Sequence, residues 1–224
     1  MARLTGLAYL ILIVGGIFAQ GFVSDRLVDF HDAGKTASNI LANEGLYRTG
    51  FTVFLIEMTA QIVTTVLFYY LLKPVSRSGA MLATVLGLTG AVIKTVARVF
   101  FLVPLGLLHS SAFAADQVSS LTLLLLRINN DGAAVALAFF GPSTFLTGWL
   151  IMKSTFLPKW MGILSVIGGI LWTTYYVPQL GGSLFLVSAI FALVGSLATI
   201  GWLIIYGLDE QKWREQAAAS TIWG

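Results

Sequence analysis

Residues 80–109, AMLATVLGLTGAVIKTVARVFFLVPLGLLH, decide how the rest of the chain is read. A helix needs about 20 mostly apolar residues to cross a bilayer, and this run is longer. Yet it carries Lys94 and Arg98 in its interior. A cation near the bilayer centre costs at least ~2.5–3.5 kcal/mol on insertion scales. The i, i+4 spacing sets the two on one helix face, about one turn apart. Charges so placed turn away from lipid, toward a partner or a wet cavity.

Composition extends the membrane reading to the whole chain. Of 224 residues, 57% are hydrophobic and 10% charged, with a mean hydropathy of +0.88. Soluble domains run near 25% charged. The expectation is an all-α polytopic integral membrane protein, folded as a single domain over residues 1–224. The net charge of +3 comes without a basic run, so nucleic acid is not a partner. Absence of cysteine excludes disulfides, thiolate metal sites and thiol catalysis. Two histidines, His31 and His109, are too few for a His-based metal site without carboxylate help. No metal and no cofactor is expected. No Ser-His-Asp order, phosphate loop or Asp-rich diphosphate motif is visible.

Apolar runs predict a six-transmembrane-helix bundle with spans at residues 4–23, 50–72, 80–109, 132–152, 157–177 and 183–206. The first is long for a signal peptide and lacks a clear cleavage pattern. Its Gly15 and Ala19 form a small-residue face suited to close helix contact, within the chain or in a homo-oligomer. Residues 24–49 form an extracytoplasmic loop after the first span, in which SNILANEGLYR reads as an interfacial helix. Residues 110–130 read as a re-entrant piece, an interfacial helix or the outer extension of the fourth span. Gly141-Pro142-Ser143-Thr144 sits in the middle of that span. It is either a proline kink patched by hydroxyls or a broken helix lining a site. Residues 208–224 form a polar, alanine-rich tail that begins as helix.

Loop cations set the orientation. With the N-terminus inside, that side holds Arg3, Lys73, Arg77, Lys153, Lys159, Lys212 and Arg214, against Arg26, Lys35, Arg48 and Arg127 outside. Seven against four predicts a multi-pass protein of the bacterial inner membrane with both termini cytoplasmic. Membrane lipids are its surroundings.

The candidate site follows from depth. Glu57 and Gln61 lie at i, i+4 on the second span. At ~1.5 Å per residue, counted from the outer ends of the two spans, with Arg98 about ten residues in, Glu57 is roughly 10 Å deep, Gln61 roughly 16 Å, Arg98 roughly 15 Å and Lys94 roughly 21 Å. This count pairs Glu57 with Arg98 and leaves Lys94 short of a carboxylate. Two readings are open: a buried pair fixing helix register, or a ligand site in which the excess cation awaits an anion, a carbonyl or a proton path. Asn130 and Asp131 are placed at the mouth of such a pocket, or as the N-cap of the fourth span. The ligand-binding candidates are therefore Glu57, Gln61, Lys94, Arg98, Asn130 and Asp131.

Three functions fit: binding or transport of a small lipophilic or anionic molecule between the second, third and fourth spans; an intramembrane enzyme acting on a lipid or isoprenoid, with Glu57 as acid or base; or a structural subunit without a ligand.

Several segments carry a resemblance: ARLTGLAYLILIVGGIFA, ASNILANEGLYRTG, LLKPVSR, FAADQVSSLTLLLL and KSTFLPKWMGILSVIGG. In this order they resemble the bacterial membrane proteins of domain-of-unknown-function family 4386. The resemblance implies a six-helix inner-membrane protein and no established activity. Where that family's pattern has an HG-type step before the fourth span, this chain has Asn130-Asp131-Gly132. Where a histidine follows within the span, it has Pro142 or Ser143.

Overall fold

The computed structural model describes residues 1–222 and is all-helical over them. Of the predicted tail, Trp223 and Gly224 lie outside the described residues. Five helices are long and apolar enough to cross a membrane: α1 (Ala2–Leu27), α3 (Glu44–Leu72), α4 (Arg77–Leu108), α5 (Ala115–Lys153) and α8 (Phe185–Ile205). Between α1 and α3 lies the short α2 (Ala33–Ala42). The apolar α6 (Lys159–Thr173) has 15 residues and continues as a tight turn, Thr174–Tyr176. A single-turn α7 (Pro178–Ser183) precedes α8, and α9 (Glu210–Ile222) follows it.

Short connections make successive long helices antiparallel. Each packs on its sequence neighbour, α1 on α3, α3 on α4, α4 on α5, α5 on α6 and α6 on α8, and α8 returns to α1. The result is a closed ring of six helices. Both described ends of the chain lie at one end of it, where Ala2 and Leu203 share a buried cluster with Leu71, Leu150 and Phe156. A second cluster, with Val23, Ile40, Tyr47, Phe101 and Leu126, closes the far end.

Glycines set the closest seams. A Cβ on Gly148 would lie 2.7 Å from the Gly162 carbonyl, and one on Gly169 would lie 2.4 Å from the Phe145 nitrogen, so α5 and α6 touch backbone to backbone. Gly15 of α1 faces the Glu57 Cβ at 3.5 Å, and Ala19 is fully buried. That small-residue face serves contact between α1 and α3 inside the chain.

Three stretches differ from the sequence reading or decide between its alternatives. First, α3 starts at Glu44 rather than Gly50, because SNILANEGLYR divides into α2 and the first turns of α3. Asp32 caps α2 by accepting from the Lys35 N–H at 2.8 Å. Second, Asn130-Asp131-Gly132 does not break the fourth span. Residues 110–130 are largely its outer extension, since α5 runs unbroken for 39 residues. Gly132 is there for proximity: a Cβ on it would meet the Ala97 Cβ at 2.6 Å. Arg127 fastens the extension by donating to the Phe30 carbonyl at 2.8 Å. Third, α5 also continues through Pro142, and the hydroxyl of Ser143 bonds the neighbouring helix, donating to the Ala83 carbonyl at 2.7 Å.

Two helices depart from regular winding. Residues Ile17–Ser24 of α1 wind as a π-helix, which begins directly after Gly16. In α4 the regular helix is interrupted at Arg98, six residues before Pro104. Pro104 supplies no N–H to the Phe100 carbonyl one turn earlier, while the Arg98 carbonyl keeps bonds from the Phe101 and Leu102 N–H groups. The same stretch is held by Tyr47, whose hydroxyl donates to the Phe101 carbonyl and whose ring stacks on Phe101 at 4.4 Å.

Candidate functional site

Between the two end clusters the ring is hollow. Its interior positions include Gly16, Ala80, Ala83, Gly168, Ala189, Ala192 and Gly195, whose side chains are too small to meet across six helices. A cavity of about 460 Å³ remains, within the ~300–1,000 Å³ of small-molecule sites. Along α3 it is lined from Glu57 to Leu72, a run of ~22 Å at ~1.5 Å per residue. All six ring helices contribute to its wall.

Most of the wall is apolar, with one charged feature. Glu57, its side chain 5% exposed, accepts from Lys94 Nζ through Oε1 at 2.7 Å; Lys94 is 19% exposed. Both line the cavity. The other carboxylate oxygen, Glu57 Oε2, is buried and has no hydrogen-bond partner among the described residues. Gln61, one turn along, also lines the cavity and donates to Thr65 Oγ1 at 3.1 Å. Two turns along, Thr64 Oγ1 is likewise buried without a partner. At the next seam but one, Tyr9 and Ser196 share a 2.6 Å hydrogen bond that ties α1 to α8.

Arg98 lies elsewhere. It is 2% exposed and sits behind the cavity wall, its guanidinium 3.5 Å above the Phe54 ring. Nη1 donates to Asn129 Oδ1 at 3.1 Å. The expected Glu57–Arg98 pair is thus replaced by Glu57–Lys94. The reason is the starting point of α3. Counted from Glu44, Glu57 is ~20 Å from the far end, level with Lys94 at ~21 Å from Leu108. Phe54 and Arg98 are then level at ~15 Å. A cation–π contact and one amide take up the arginine, a combination suited to a weakly hydrated planar ion.

The candidates therefore divide. Glu57, Gln61 and Lys94 share the cavity. Arg98 is a buried structural neighbour. Asn130 and Asp131 are exposed on the outside of α5, and neither caps a helix. The buried amide is Asn129, one residue earlier. Its signal was helical phase, because Thr122, Leu126, Asn129 and Ala136 recur on the buried face of α5. Tyr9, Thr64 and Ser196 carried no comparable signal, since hydroxyls are unremarkable in a membrane helix.

In the loop before α2, Asp29 gathers two hydrogen bonds from its neighbours. Asp29 accepts from the His31 N–H at 3.0 Å and from Lys35 Nζ at 3.0 Å. These contacts, the backbone bond foremost, hold the Asp29 carboxyl below the usual aspartate range. Among the described residues no three metal-ligating side chains converge.

Comparisons with known proteins identify a family without adding an activity. The chain is similar to an uncharacterised protein of the archaeon Archaeoglobus fulgidus, 28% identical over 159 residues, covering 70% of this chain and 80% of the relative. No solved structure matches. The family described as "Domain of unknown function (DUF4386)" matches across residues 4–207, nearly the whole ring, and the chain belongs to that family.

Proposed function

We propose that the protein is a six-span receptor or carrier of the bacterial inner membrane, holding a small lipophilic molecule inside its ring. The observation that carries this reading is the cavity of about 460 Å³ with a buried ion pair on its wall. A pair that served packing alone could be replaced by apolar side chains at no loss, and it has no need of a cavity. The anionic alternative is weaker, because Lys94 already has its carboxylate, so the wall carries no net charge for an anion to answer.

Six crossings follow if α6 counts as a span. Its helix supplies ~23 Å and the turn after it ~6 Å, close to the ~30 Å hydrocarbon core. The excess of loop cations at the end bearing Ala2 and Lys212 supports a cytoplasmic side for that end.

Gly168 provides the test. It lines the cavity, and a Cβ there would meet nothing within 4 Å. Gly168→Leu should fill the lumen and leave the fold intact. Protein purified in mild detergent and extracted for mass spectrometry should release a lipophilic compound in near-stoichiometric amount from the wild type and much less from the variant. Equal retention in both, or none in either, would overturn the reading.

A second reading, an intramembrane enzyme acting on a lipid or isoprenoid, is favoured by one feature. The Glu57 carboxylate and the Lys94 ammonium stand on the cavity wall, where such a pair could pass a proton to or from a bound substrate.

A further inference from the structure

We infer that the ring opens sideways to lipid between the far halves of α1 and α8, and that a hydrocarbon chain from the far leaflet enters the cavity through this gap. The inference rests on the cavity reading above and adds the route by which the ligand comes and the leaflet it comes from.

The two helices carry facing stripes. Tyr9, Ile13 and Ile17 recur at four-residue intervals on α1, and all three line the cavity. Ser196, Leu193 and Ala189 form the matching stripe on α8 and line it too. Toward Ala2 the helices touch. Gly6 lies against Leu203 and Ile204, and Tyr9 bonds Ser196. Farther along they part. Ile17 is 55% exposed and Leu193 is 38% exposed, although both line the cavity. Each is thus open to the inside and the outside of the ring at once, which two touching helices would not allow.

Local structure accounts for the gap. At Ile17 the winding of α1 changes to π, and this stretch packs on α3, where Val23 meets Gly50. The far half of α8 is held on its other flank, where Phe185 lies beside Trp172 of α6, with ring centroids 6.4 Å apart. Of residues 185–194 only Ser188 is buried. One helix is drawn toward α3 and the other toward α6.

Depth and chemistry identify what stands outside. At ~1.5 Å per residue, Ile17 lies ~22 Å from Ala2 and Leu193 ~18 Å from Ile205. Both levels fall within a ~30 Å hydrocarbon core and past its middle, in the far leaflet. The exposed side chains beside them, Val14, Ile190 and Val194, are apolar. A lipid chain meets the gap without shedding a polar contact. A lipophilic molecule dissolved in the bilayer reaches the cavity without crossing water, where its apolar surface is penalised.

The test uses the chain's lack of cysteine. The full-length double variant Ile17→Cys, Leu193→Cys is reconstituted in phosphatidylcholine vesicles that contain a phosphatidylcholine with a mid-chain diazirine. A bis-maleimide with a short alkyl spacer then joins the two cysteines across the gap. The control, Leu4→Cys, Ile205→Cys, joins the same helices at exposed positions toward Ala2. After illumination, lipid adducts are mapped by mass spectrometry. Leu137 and Phe140 line the cavity from α5, which neighbours neither helix of the gap, and Val135 of α5 is exposed on the outside. Without the linker, adducts should form at all three. Linking Ile17→Cys to Leu193→Cys should lower those at Leu137 and Phe140 several-fold and spare those at Val135, and the control link should change neither. Absence of inner adducts without the linker overturns the inference, whether a second copy or repacked helices fill the gap. So do inner adducts that the linker leaves unchanged, since the chain then enters elsewhere. The cavity reading fails separately, in the Gly168→Leu extraction, which depends on no particular route.

Discussion

At the scale of single residues, the decisive fact is which cation answers Glu57. Glu57→Gln leaves Lys94 buried without its counter-charge, and breaking such a pair costs roughly 3–5 kcal/mol. Adding Lys94→Met should recover much of that loss, whereas adding Arg98→Met should recover none, because Arg98 rests on Phe54 and Asn129. Thermal unfolding in detergent of the three variants reads the difference; rescue by Arg98→Met would return the pairing to Arg98. The residue types were legible from the start, since charge inside an apolar run is conspicuous. The pairing was not. It turned on a helix beginning at Glu44, one and two-thirds turns before the apolar run suggests.

At the scale of elements, the tightest seam joins α5 to α6. Gly148→Ala should place a methyl 2.7 Å from the Gly162 carbonyl and the Ser165 Cβ, backbone and side chain that cannot yield cheaply. Overpacking of this kind costs about 1–3 kcal/mol. Gly168→Ala, with open space at its Cβ, should instead be neutral or gain up to ~1 kcal/mol from helix propensity. Melting temperatures of the two variants that move together would show that the seam is looser than described. Apolar run length announced the long helices. It did not announce α5's 39 residues, because Asn130-Asp131-Gly132 reads locally as a start signal, while in the fold Gly132 packs on Ala97 and the helix continues. The mid-span Gly141-Pro142 is similar: Gly141 is pressed against the Thr173 backbone, and the helix continues.

At the scale of the whole molecule, the ring and its orientation make one prediction. The chain has no cysteine, so single labels are clean. A cysteine at Lys35, exposed at the far end, should react with an impermeant maleimide in intact cells, and one at Ser78, exposed at the end bearing Ala2, should not. The opposite pattern would invert the protein. The sequence by itself determined the solvent and the class: hydropathy and run length demand helices in lipid, because no other open backbone satisfies its hydrogen bonds there. It also determined that Lys94 and Arg98 must face inward. Only the tertiary structure decided that six neighbours close into a ring, that small side chains leave its lumen unfilled, and that Glu57 meets Lys94 on its wall. Those outcomes depend on helix starts, phases and the meeting of α8 with α1, all set by long-range packing. A local pattern of apolar residues does not encode them, because every face of a membrane helix is apolar and periodicity cannot say which one looks inward.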